Sequence, residues 1–213
     1  MMNKEMVKEC VGVVEDDAAV RGALCLMLGE LGMEVHAYAS AREFLEDTER
    51  RSRCACLVLD VRLPGFSGIE LHKELLKQKQ GPAIVFITGH GDIPMAVEAM
   101  RNGAVDFLQK PFREQTLLES VQKALTIGRQ ARATRSKTDA AEARLACLTP
   151  REGEVLTKLL LGLRSKQVAS EMGLATKTID QHRAHIMRKM HAATIVELIS
   201  IVSTTKQYSQ GSR

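Results

Sequence analysis

The sequence predicts a doubly wound α/β domain built on a five-stranded parallel sheet, followed by a small all-α domain. Over the first 125 residues, five short apolar runs alternate with segments of helical spacing, as a parallel sheet covered on both faces requires. Beyond Cys147 no strand-like run recurs, and every segment reads as helix. Charge divides along the same line. Residues 1–125 carry 15 Lys and Arg against 19 Asp and Glu, a net of −4, whereas residues 126–213 carry 15 against 7, a net of +8. An acidic half joined to a basic half implies separate partners, and a polyanion fits the second.

The apolar runs are Val11–Val14, Glu34–Tyr38, Cys56–Asp60, Ala83–Thr88 and Ala104–Gln109. Their mostly apolar character, without clean alternation, is that of strands buried on both faces. Between the first two, Val20, Leu24, Met27, Leu28 and Leu31 recur at helical spacing. Ser40 with Glu43, and Ser67 with Glu70, fit capping boxes and predict helix starts near 41 and 68. From Leu125 to Cys147 large apolar residues are scarce. The stretch fits a flexible linker or a solvated helix, and its Ala and Arg content favours the helix. Four helices are expected after it: Pro150–Leu161, Ser165–Met172, Thr176–Met190 and Thr194–Val202. Thr149 and Glu152 form a capping box with Pro150 at the first helical position, and Gly162 and Gly173 fall at breaks. The expected organisation is a domain over 10–125, a helical linker over 126–142 and a second domain over 143–208.

The 213 residues are 45% hydrophobic and 26% charged, an ordinary globular balance. No apolar run approaches the roughly 18 residues that span a bilayer. The opening MMNKEMVKEC lacks the apolar core of a secretory signal, so no membrane association and a cytoplasmic location are expected. The five cysteines, Cys10, Cys25, Cys54, Cys56 and Cys147, match no paired zinc framework. Cys54 and Cys56 form a CxC in or beside a strand and read as reduced thiols packed as small apolar groups.

Open parallel sheets bind ligands beyond the carboxyl ends of their strands. There the sequence sets Glu15-Asp16-Asp17 after the first strand, Asp60 at the end of the third, Thr88 at the end of the fourth and Lys110 after the fifth. Converging carboxylates repel unless a hard cation holds them, and Mg²⁺ takes oxygen ligands while retaining water. Asp60 then reads as a carboxylate nucleophile towards a phosphoryl group, with Lys110 and the Thr88 hydroxyl stabilising phosphoryl oxygens. Alone, each residue reads as a turn, cap or surface charge; their joint placement carries the chemistry. A haloacid-dehalogenase-type phosphatase is disfavoured, because its second Asp would stand where this chain has Arg62.

CLVLDVRLPGFSG around Asp60, VFITGHGD around Thr88 and FLQKPF around Lys110 resemble the CheY-like receiver domain. The resemblance implies a regulator rather than an enzyme, with Asp60 accepting phosphate from a histidine kinase. It implies Mg²⁺ held by Glu15, Asp16, Asp60 and the Arg62 carbonyl. It also implies Thr88 and Phe107 as switch residues and a cis Lys110-Pro111 bond. The family's acidic pair is Asp-Asp, so Glu15 is a departure. The strand pattern nonetheless keeps Glu15-Asp16 as the pair and makes Asp17 a helix-start residue.

LTPREGEVL, GLRSKQVASEMGLATKTIDQHRAHIMRKM and IVEL resemble the LuxR-type helix-turn-helix. With VFITGHGDIPMAVEAM, the chain resembles the FixJ/NarL response regulators, FixJ-type above all. With Ile179, Ile186 and Met190 on the core face, Lys177, Gln181, Ala184, His185 and Arg188 face outward, where a recognition helix meets the major groove. Asp180 stands where many LuxR-type domains carry Lys, whereas FixJ-type domains often carry an acidic residue there, so it narrows the resemblance to that type. His182, His185 and His191 lack acidic or Cys partners for a metal. The implied partners are a sensor histidine kinase, double-stranded promoter DNA, a second copy of the chain when phosphorylated, and RNA polymerase. A second reading is a phosphorylation-independent DNA-binding regulator whose receiver serves as a dimerisation module.

Overall fold

The computed structural model describes residues 9–78, 81–89 and 93–205. The chain divides into two compact units at Arg132–Ala133. In the first, β1 (Cys10–Val14), α1 (Ala18–Glu30) and β2 (Glu34–Tyr38) are followed by α2 (Ala41–Glu46), α3 (Thr48–Arg53) and β3 (Cys56–Asp60). Then come α4 (Gly68–Gln78), β4 (Ala83–Thr88), α5 (Ile93–Arg101), β5 (Asp106–Gln109) and α6 (Glu114–Ala146), whose residues from Ala133 on belong to the second unit. The sheet order is β2-β1-β3-β4-β5, every pair parallel. Because the chain winds outward in both directions from β1 and β3, a crevice opens beyond their carboxyl ends.

The strand expectations hold closely: three runs match to the residue, the first strand begins one residue earlier at Cys10, and the last is shorter by two. Leu24 and Leu28 of α1, with Leu117, Val121 and Leu125 of α6, cover Val13, Val58 and Ile87 on one sheet face. Phe44, Leu71 and Leu75 cover Val14, Leu57, Leu59 and Phe86 on the other. Each fully buried large apolar side chain contributes about 1.5–3 kcal/mol. Two features go beyond those expectations. Leu31 is not core: it is the C-terminal cap of α1 and stays exposed. The helix beginning at Ala41 is also interrupted, because Asp47 ends α2 and its carboxylate caps α3 by accepting from the Arg50 amide.

Residues 126–142 lie within α6, which runs unbroken for 33 residues. Gly128 explains where its first part can pack: a Cβ there would meet the Ala55 carbonyl oxygen at 1.9 Å. Only glycine permits that approach.

The second unit contains α7 (Pro150–Leu160), α8 (Ser165–Met172), α9 (Thr176–Lys189) and α10 (Ile195–Ser203). The Thr149–Glu152 capping box starts α7, and Gly173 ends α8 at φ 65°, the left-handed cap expected there. Val155, Leu156, Leu159, Val168, Ile179, Ile186, Met190, Leu198 and Val202 form its core. The expected domain end at 206–208 lies outside the described residues.

Candidate functional site

At the end of β3, Asp60 is only 5% exposed. Its Oδ1 accepts the Arg62 amide at 2.8 Å, and its Oδ2 accepts Lys110 Nζ at 2.6 Å. The same ammonium donates to Glu15 Oε2 at 2.6 Å. Glu15 continues β1 and is buried at 1% exposure, while Asp16 beside it is exposed. Oxygens of Glu15, Asp16 and Asp60 lie within 4.8 Å of one another. Three hard oxygen donors at the mouth of one crevice suit a small divalent cation such as Mg²⁺.

The electrostatics follow from burial and partners. Burial pushes the Glu15 carboxyl up, the Lys110 bond pulls it down, and the Asp60 charge adds to the rise. Burial opposes charge on Lys110, but its bonds to Asp60 and Glu15 together outweigh that and raise its pKa. Lys110 is thus held as a cation between two carboxylates. Asp17 stands apart from this cluster: its carboxylate caps α1 by accepting the Ala19 and Val20 amides.

Thr88 ends β4, is fully buried, and its carbonyl accepts the Lys110 amide at 2.7 Å. Phe107 on β5 is half-buried, its ring 6.2 Å from that of Phe86, which in turn meets the buried His72 edge-on at 5.4 Å. Lys110-Pro111 is cis. His90, Gly91 and Asp92 of the VFITGHGD motif lie outside the described residues.

In the second unit, α8 and α9 are joined by a tight turn through Gly173. Ile179, Ile186 and Met190 are completely buried, so Lys177, Gln181, Ala184, His185 and Arg188 emerge exposed, as does Asp180. This presents one polar face with three basic or imidazole side chains and one amide. His185 is drawn towards the unit's own frame, its Nδ1 3.8 Å from Glu152 Oε1. Buried Glu152 also accepts Lys189 Nζ at 2.7 Å, tying α9 to the start of α7.

Residues 11–122 match the family model of the response regulator receiver domain, and residues 146–202 that of bacterial regulatory proteins of the luxR family. This chain is a response regulator. It is 45% identical to Nodulation protein W of Bradyrhizobium diazoefficiens, over 92% of this chain and 86% of that one. It is 42% identical to the transcriptional regulatory protein FixJ of Azorhizobium caulinodans, over 89% of each. The solved response regulator StyR aligns with a TM-score of 0.78 at 43% identity, covering 92% of this chain and 99% of StyR. Full-length FixJ from B. japonicum aligns at 0.55 and 38%, covering 92% and 97%. The family couples a receiver to a DNA-binding transcription regulator and is not an enzyme. Its receiver implies a histidine kinase as partner, and its LuxR-type domain implies DNA. Among the described residues of this response regulator, no helix is long and apolar enough to cross a membrane.

Two residues of the response regulator's acidic site escaped the sequence reading. Arg21 of α1 donates from Nη1 to the Glu15 and Asp16 carbonyls at 2.7 and 3.1 Å, fixing the acidic loop. An Arg amid a helical pattern gave no signal of this. At the start of α4, a Cβ on Gly68 would meet the Asp60 carbonyl oxygen at 2.1 Å, so glycine lets α4 begin directly against the Asp60 backbone. Its place in FSG next to a capping box was the available signal, but the partner across the turn was not readable.

Proposed function

We propose that Asp60 accepts a phosphoryl group from a sensor histidine kinase, and that this modification governs DNA binding by the α9 face. The observation that carries the reading is the buried Asp60 carboxylate, 2.6 Å from Lys110 Nζ and grouped with Glu15 and Asp16. Asp60 Oδ attacks the phosphorus in line while the donor's leaving group departs. Glu15, Asp16, Asp60 and the Arg62 carbonyl would hold Mg²⁺, which when bound neutralises phosphoryl oxygens. Lys110 moves its charge from Asp60 to the transferred group, and the Thr88 hydroxyl donates to a phosphoryl oxygen. The Phe107 ring then follows Thr88 inward, biasing the receiver towards a dimerising state.

A receiver dimer brings two LuxR-type domains to two half-sites, so the second contact becomes intramolecular and overall affinity rises. On α9, Gln181 is placed to read a base edge, Lys177 and Arg188 to meet bases or phosphates, and Ala184 and His185 to line the approach. RNA polymerase is the proposed downstream partner, reached at the promoter.

A second reading, a regulator independent of phosphorylation, is favoured by Glu15, whose longer carboxyl is pushed up by burial and engaged by Lys110. Incubation with acetyl phosphate and Mg²⁺, followed by peptide mass mapping, separates the two. One phosphoryl group on the Asp60 peptide, absent from Asp60→Asn, supports phosphotransfer. An unlabelled wild-type chain leaves the second reading standing.

A further inference from the structure

At the end of the sheet remote from Asp60, the first residue of β1 and the residue capping α3 meet through sulfur. Cys10 Sγ and Cys54 Sγ are 3.0 Å apart across 44 positions of sequence, and both residues are buried. The strand register makes the meeting: the Ala55 amide donates to the Cys10 carbonyl at 3.0 Å, setting Cys54 beside Cys10 on one face. Cys54 therefore does not pack as a plain apolar group, whereas its CxC neighbour Cys56 is fully buried within β3.

Cys10 also lines a cavity with Arg53, Arg129, Arg132, Glu9 and Glu34. Arg53 pairs with Glu34 at 2.9 Å and Arg129 with Glu9 at 2.7 Å, while Arg132 donates to the Arg53 carbonyl at 2.6 Å. Three guanidinium groups against two carboxylates leave this cavity net positive, the setting in which a thiolate persists.

We propose that Cys10 and Cys54 form an oxidisable dithiol, with Cys10 as the peroxide-reactive sulfur and Cys54 as the resolving one. The co-reactant is a small hydroperoxide, hydrogen peroxide being the simplest. The Cys10 thiolate attacks one peroxide oxygen, the O–O bond breaks, and hydroxide leaves to become water. Cys54 then gives up its proton, and its sulfur attacks the Cys10 sulfenic acid. The S–O bond breaks, a second water leaves and the S–S bond forms. Two thiols lose two electrons, and one peroxide becomes two waters.

The assignment of roles follows the surroundings. The Cys54 hydrogen bond lowers the Cys10 pKa, with Arg53 and Arg132 adding to it against burial and Glu34. That same bond, with burial, raises Cys54. Burial alone raises Cys56. Cys147 is exposed and Cys25 half-buried, and neither is placed against Cys10 as Cys54 is.

The test treats the reduced full-length chain with hydrogen peroxide, alkylates it in denaturant and maps peptides without reduction. The expected product is one Cys10–Cys54 linked peptide, lighter by two hydrogens and released by dithiothreitol, with Cys56 alkylated. In Cys54→Ser the reaction should stop at a Cys10 sulfenic acid that dimedone traps. The wild-type map decides the matter even if that variant folds poorly. Cys10 and Cys54 both recovered as alkylated thiols while Cys147 or Cys25 is oxidised would overturn the proposal. So would a disulfide joining Cys10 to any other cysteine.

Discussion

Lys110 Nζ stands 2.6 Å from Asp60 Oδ2, so the side chain after the last strand neutralises the carboxylate that ends the third. The ammonium also engages Glu15 at 2.6 Å, giving one cation to two buried carboxylates. Removing it leaves their charges uncompensated, and the phosphoryl group loses a donor. Lys110→Ala should therefore bind Mg²⁺ more tightly yet accept phosphate about 100-fold more slowly, the usual cost of deleting one charge-stabilising donor. Fluorescence or calorimetric Mg²⁺ titration alongside acetyl phosphate labelling checks both. Labelling at the wild-type rate would remove Lys110 from the chemistry.

Gly68 tests how tightly the Asp60 backbone is held. A methyl at this position lies 2.1 Å from the Asp60 carbonyl oxygen, and backbone cannot yield as a flexible side chain can. Gly68→Ala should cost about 1–3 kcal/mol by overpacking and slow labelling of Asp60. Urea unfolding of the receiver transition measures the first. An unchanged midpoint would show that α4 is free to retreat.

Glu152 makes the second unit acid-sensitive. The Lys189 ammonium and the Thr149 amide and hydroxyl hold its carboxyl at about 2, against an ordinary 4.5. Because the folded pKa lies below the unfolded one, the stabilisation is present above about 4.5 and lost as pH falls towards about 2. Unfolding of the C-terminal transition should weaken across that window, and Glu152→Gln should flatten the dependence while lowering stability at neutral pH. A wild-type and a variant curve of equal slope would count against the assignment.

On α9, Gln181 and Lys177 are both exposed, but they differ in what they offer DNA. An amide can pair with a base edge, whereas an ammonium meets phosphate as a point charge. Gln181→Ala should cost about 1–3 kcal/mol at a specific site and relax base preference at one position. Lys177→Ala should weaken binding evenly across sequences and reduce the salt slope by about 1. Binding isotherms over a salt series on specific and scrambled duplexes distinguish the patterns.

Much of this was legible in the sequence, because strand-end positions in a parallel sheet converge by topology alone. The first, third, fourth and fifth runs put Glu15, Asp60, Thr88 and Lys110 at the carboxyl end of one sheet. Helical periodicity likewise put Ile179 and Ile186 inward and Gln181 outward. What escaped depended on contacts with no periodic signature. Arg21 reaches backbone carbonyls, Gly68 and Gly128 matter only through the backbone opposite, and the Cys10–Cys54 meeting depends on strand register. The break at Asp47 was hidden because both halves are good helix formers, and only the carboxylate's choice to cap Arg50 separates them. His185 faces outward as expected, yet its approach to Glu152 was invisible, since a long-range partner decides it.

The proposed control of DNA binding by Asp60 phosphorylation is a difference in affinity. It is tested most directly by measuring affinity for a specific promoter duplex with and without acetyl phosphate and Mg²⁺, in wild type and Asp60→Asn. Phosphorylation should tighten wild-type binding and leave the variant unchanged. Equal tightening of both, or no change in a wild-type chain shown to be phosphorylated, would contradict it.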